Sequence, residues 1–130
     1  MKEKINELAG RLLDLPDSIL DLQMQLIDKT AELQKVESQI GERSSEIKYI
    51  INNALDDNGK KLYSNAELRD AAFISDAKDD ILLPSLNVDR ELIQNSIQSI
   101  RVKVENLSNH QRNIRVLISY LTTDSNIDNL

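Results

Sequence analysis

The chain has no cysteine, which excludes disulfides, thiolate metal centres and a cysteine nucleophile. Its one histidine, His110, excludes a multi-histidine metal site within a single chain. Aromatic residues are scarce: Tyr49, Tyr63, Phe73 and Tyr120 are the only four in 130 residues. Together with three Gly and two Pro, that scarcity argues against a sandwich or barrel, whose turns need Gly and whose strands favour aromatic side chains. No apolar run is longer than Ala71-Ala72-Phe73-Ile74, far short of the ~20 residues of a membrane-spanning helix. Positive charge is not in excess either, since 16 basic against 22 acidic groups leave a net −6. Such a chain has no general attraction for nucleic acid or an anionic membrane, and only a local basic patch could supply one. The first residues, Met1-Lys2-Glu3-Lys4, carry both signs of charge and no apolar h-region, so the expectation is a cytoplasmic protein without a secretory signal.

What is present is periodicity. With Ile5 at heptad position a, the a positions are Ile5, Leu12, Ile19, Leu26, Leu33, Ile40, Ile47 and Ala54, and the d positions are Leu8, Leu15, Leu22, Lys29, Val36, Arg43 and Ile50. Thirteen of these fifteen are apolar with no slip in spacing. The period is 3.5, which marks a coiled coil rather than an ordinary surface helix. The pattern returns as Leu86, Ile93, Ile100, Leu107, Ile114 and Leu121 on one stripe, and Arg90, Ile97, Val104, Gln111 and Ile118 on the other. The predicted architecture is all-α: a long antiparallel coiled-coil hairpin with a short helix at its tip, in one domain. Its parts are a long helix over 1–54, a tip over 55–86, a second long helix over 87–122 and a frayed tail over 123–130. Pro16 predicts a kink or tight restart near Asp14 to Asp17, because proline removes a donor and crowds the preceding turn. From Asp17 to Ala54 the helix spans roughly 57 Å and from 87 to 122 roughly 54 Å at 1.5 Å per residue. That match predicts pairing along their length, with residues 1–14 projecting beyond it or folding back.

In the tip, Asp56-Asp57-Asn58-Gly59 is a turn signal. Ser64-Asn65-Ala66-Glu67 has the spacing of a capping box with Ser64 as the cap, predicting a helix over 65–79 that buries Leu68, Ala71, Ala72 and Phe73. Pro84 stops that helix. The calcium-loop template fits Asp56, Asn58 and Gly59 but puts Ala54 first and Asn65 twelfth, so the segment reads as a turn. Gly59-Lys60 lacks the remainder of a phosphate loop. Asp76, Asp79 and Asp80 read as a solvated helix end rather than a metal site, and no cofactor is expected. His110 lies off the a and d stripes between Asn109 and Gln111 and reads as a surface histidine. The chain is expected to be a non-enzyme.

A two-helix hairpin buries only a narrow seam, and this first helix has more apolar surface than one partner can cover. Leu13, Leu20 and Ile27 at b, with Ala9, Met24 and Ala31 nearby, widen its apolar face. Either the short helix folds over this surface, or the chain self-associates into a dimer or tetramer through Leu13, Leu20, Met24 and Ile27; the second is preferred. Lys29 and Arg43 at d and Gln111 at a either set register or extend out at the seam edges. Net charge is −3 over 1–54, −3 over 55–87 and +2 over 88–121. Two basic groups, Lys60, Lys61 and Arg69 at the tip and Arg101, Arg112 and Arg115 on the last helix, could touch phosphates; pairing with the acidic first helix accounts for the arginines equally well.

The residues Gly59, Lys60, Tyr63, Ser64, Asn65 and Arg69, followed by Ala71 and Ala72, form a tip that resembles small helical-hairpin proteins of phages and prophage-like elements. Those have a long helix, a tip reading roughly Gly-Lys-x-x-Tyr-Ser/Thr-Asn-x-x-x-Arg and a second long helix. The resemblance is close over about fifteen residues and implies an accessory of DNA recombination or replication. Tyr63 and Ser64-Asn65 are also what a tip needs to dock and cap its short helix.

Overall fold

The computed structural model describes residues 1–128, with side chains placed through Thr123. It is an all-α hairpin of three helices: α1 (Lys2–Asn53), α2 (Ala66–Asp79) and α3 (Leu83–Asp128). Two compact units form along it. One combines residues 1–29 with residues 96–128 of α3, and the other combines residues 30–95. In each, a stretch of α1 packs antiparallel to a stretch of α3. No helix among the described residues is long and apolar enough to cross a membrane.

In the first unit Leu8, Ile97, Ile100 and Ile114 are buried, and Ile5, Leu12, Leu15, Ile19, Leu22, Val104, Leu107 and Ile118 are half-buried. All of them lie on the predicted a and d stripes, so the seam of this unit follows the heptads. Arg11 reaches across it and donates to His110 Nε2 at 2.9 Å. Residues 1–14 therefore neither project nor fold back: they lie inside the hairpin, with Leu8 only 3% exposed. Pairing over equal lengths fails because the last turns of α1, at Ile47 and Ile51, pack on Leu83 and α2 instead of continuing along α3. Helix α3 begins at Leu83 and runs through Asp128, past the end at residue 122 that the periodicity predicts; residues 129–130 of the predicted frayed tail lie outside the described residues. Pro84 falls in the first turn of α3, where no intrahelical partner awaits its missing N–H.

Helix α1 passes through Pro16 without interruption; no restart occurs. The heptad phase is unbroken across that point, so seam packing on both sides holds the helix together against the loss of one backbone bond.

In the second unit the core is Ile47, Ile51 and Leu83, with Ile40, Tyr63, Ala72, Phe73 and Ala77 packed against it. Here the structure departs from the heptad reading. Ile50, the predicted d residue, is 62% exposed, whereas Ile51 next to it is 3% exposed. The buried face of α1 turns by one row because α2 covers it from the side. Lys48 accompanies this shift, its Nζ 4.9 Å from the centroid of the Phe73 ring. Of the residues α2 was expected to bury, Ala72 and Phe73 are half-buried, while Leu68 and Ala71 are exposed.

The tip is organised by Asp56. Its Oδ1 accepts from the amides of Asn58 and Lys60, both at 2.9 Å, and Gly59 takes the positive φ of 76° that the turn requires. A single antiparallel bridge joins Leu55 and Lys61. The cap of α2 is Asn65, whose Oδ1 accepts from Leu68 N at 2.9 Å, rather than Ser64. Asparagine and serine cap equally well, so residue preference alone could not choose between neighbours.

Candidate functional site

Arg43, read as a polar break in the seam, is the centre of a clamp in the second unit. Its Nε and Nη2 donate to the two carboxylate oxygens of Asp80 at 3.1 and 2.6 Å, and Nη1 donates to Glu46 Oε2 at 2.8 Å. Asp80 Oδ2 also accepts from the amides of Leu82 and Leu83, at 3.2 and 3.0 Å, at the entry to α3. The Arg43 guanidinium, then the Leu83 amide, hold the Asp80 carboxyl well below the usual carboxylate range, and Asp80 in turn raises Arg43. The acidic run Asp76, Asp79 and Asp80 is thus not uniform: Asp80 is a fixed structural anion, 9% exposed at its side chain, and Asp76 and Asp79 are exposed. The spacing of Arg43 and Asp80, 37 residues apart, left no local signal of the pair.

Among the described residues no group of three or more His, Asp or Glu side chains is arranged to hold a metal ion. Asp56, the strongest partial match to a calcium loop, already spends one oxygen on its own turn. A groove of about 550 Å³ lies beside α2, lined by Lys48, Ile51, Arg69, Asp70 and Phe73 among others.

The tip cations divide. Lys60 and Lys61 are exposed, but Arg69 is half-buried and its Nη1 donates to the Tyr63 carbonyl at 3.4 Å. Tyr63 packs on the core cluster. Arg69 and Tyr63 therefore hold the tip onto α2. Arg101, Arg112 and Arg115 are exposed on α3 in the other unit. Among the described residues none of these three forms an ion pair, so the acidic part of α1 does not neutralise them within the chain.

The four residues expected to form an interface remain uncovered: Leu13 is 77% exposed, Leu20 55%, Met24 58% and Ile27 68%. They follow one another along one side of α1, joined by Ala9 and Pro16. The half-buried a residues Leu12, Ile19 and Leu26 border them. The alternative, in which the short helix folds over them, does not occur, because α2 packs on the Ile47–Ile51–Leu83 cluster. A row of this kind bordering a half-open seam has the composition of an interface core.

Comparison with protein-family models, with curated proteins and with solved structures finds no match to this chain.

Proposed function

We propose that the protein is a self-associating helical assembly module of the cytoplasm that acts by binding and not by catalysis. The observation that carries this reading is the exposed Leu13–Leu20–Met24–Ile27 row beside the half-open seam. The absence of cysteine agrees with a reducing compartment. The test is molar mass by light scattering, at low and high salt, for the wild type and Leu20→Asp. A helix surface tolerates aspartate at a cost below ~1 kcal/mol, so the hairpin persists. Each chain loses about 1–1.5 kcal/mol of Leu20 burial on association, and the new carboxylate lies within a turn of Asp17 and Asp21. Dissociation should therefore become at least about thirtyfold easier. A mass unchanged by the substitution would remove this face from the reading.

A second reading is favoured by Arg101, Arg112 and Arg115, which form no ion pair among the described residues, and by the tip resemblance: an accessory of DNA recombination or replication that binds single strands. It predicts binding whose affinity falls with salt by a log–log slope of about −0.7 per phosphate contacted. No binding at low salt would eliminate it.

A further inference from the structure

The Leu13–Ile27 row has a different electrostatic border on each side. Away from the seam runs an acidic row, Glu7, Asp14, Asp21 and Asp28, one per heptad, with Asp17 beside it; all five are exposed. Toward α3 the border is basic. In an antiparallel pair of heptad helices, like flanks face each other across the seam, e opposite e and g opposite g. Arg11 and His110 are such a g pair, in contact at 2.9 Å. The opposite flank then brings Ala9, Pro16 and Gln23 of α1 beside Arg101, Ser108 and Arg115 of α3, with Arg112 one row farther out.

The same contact fixes the axial register. Each step forward from Arg11 along α1 is matched by a step back from His110 along α3. Asp21 is thereby level with Arg101 to within a residue, Glu7 is level with Arg115, and Arg112 stands between the levels of Glu7 and Asp14. Glu105, the acid on this flank of α3, is level with Pro16. Among the described residues, no acid of the α1 row pairs with any of the three arginines, since both lie on outer borders of a single hairpin.

The geometry points to a second copy of this chain as the occupant of the row, with the two α1 helices running parallel about a two-fold axis along the bundle. Two copies meeting through one row have two symmetric choices. If the α1 helices run antiparallel, the two-fold lies across them and sets acidic row against acidic row. If they run parallel, it lies along them and sets each acidic row beside the partner's arginine border. Asp21 then meets Arg101 of the partner subunit and Glu7 meets Arg115 of the partner subunit, at matching levels. The apolar row provides the adhesion, and the charged borders select the parallel sense.

This arrangement rests on the self-association reading, and the two are separable by experiment. Because the chain has no cysteine, Leu13→Cys and Ile27→Cys each introduce one thiol, which a short bifunctional maleimide can link. In the parallel dimer each variant cross-links with itself, and a mixture of the two gives no 13–27 product. In parallel, Arg101→Asp should weaken the dimer about tenfold, and adding Asp21→Arg in the same chain should restore most of the loss. A dimer whose product is the mixed 13–27 species overturns the parallel arrangement and leaves self-association standing. A wild type that stays monomeric at every concentration overturns both. A dimer that cross-links at neither position overturns the choice of face.

Discussion

The sharpest internal test of the fold is the one-row shift at the end of α1. Ile50 and Ile51 are adjacent and chemically identical, yet one is 62% exposed and the other 3% exposed within the Ile47–Leu83 cluster. Truncating each to alanine removes the same atoms. At Ile51 the loss combines transfer free energy with a cavity bounded by Leu83 and the half-buried face of α2, which amounts to about 2–5 kcal/mol. At Ile50 little burial is lost, and alanine's better helix propensity offsets it, so the change should stay within about 0.5 kcal/mol. Against a total stability of about 5–15 kcal/mol for a domain, the first is severe and the second barely measurable. Urea unfolding followed by far-UV ellipticity separates them, and unchanged m-values would show that the same structure is lost in both variants. If Ile50→Ala cost as much as Ile51→Ala, the strict heptad seam would be right and the shifted one wrong.

Three further substitutions test local devices. Asp80 has its carboxyl depressed by Arg43 and by the Leu83 amide, so its contribution is full above about pH 4 and fades as the pH falls below that. Thermal melts should show Asp80→Asn well below the wild type at pH 7, with the gap closing toward pH 2; an equal gap at both pH values would rule out the linkage. At the start of α2, Asn65→Ala should cost about 1 kcal/mol through loss of the bond to the Leu68 amide, whereas Ser64→Ala should be nearly silent in the same unfolding experiment. The reverse order would restore Ser64 as the cap.

Much of this hairpin is written in its periodicity. Every named stripe position of α3 is buried or half-buried, and on α1 only Ile50 fails, because alternating three–four spacing states directly which side faces a partner. The exceptions share a physical cause: each depends on a contact between residues distant in sequence. Ile51 replaces Ile50 where α2 arrives from the side. Arg43 is stabilised in the seam by Asp80, 37 residues on. Pro16 stays helical because the packing around it outweighs one missing bond. The C-terminal extension of α3 past residue 122 has no heptad signal. Of the candidate site, the four apolar residues were legible as an excess over what one partner covers. The tip cations were less so: Arg69 looks basic and available in the sequence, and the fold commits it to the Tyr63 carbonyl.

How this chain treats its own surplus of apolar surface bears on what covers the remainder. On the α1 wheel the b and e rows adjoin the seam, and they are apolar in two places. One is the end of the helix, where Ile51 at e and the stem of Lys48 at b lie under α2, Lys48 over the Phe73 ring and Ile51 in the core. The other is the Leu13–Ile27 stretch with Ala9 and Pro16, where among the described residues nothing covers the b row and Leu13 is 77% exposed. Apolar width on these rows is therefore not ornamental, since the chain uses it at one end to seat a helix, and what sits there is amphipathic and presents Ala72, Phe73 and Ala77. The uncovered stretch is longer, carries larger side chains and is bordered by charges of opposite sign on its two sides. Its occupant needs an apolar stripe, a basic flank on the side of the acidic row and an acidic flank on the side of the arginines. The N-terminal half of another α1, arriving parallel with its own α3 beside it, meets all three requirements.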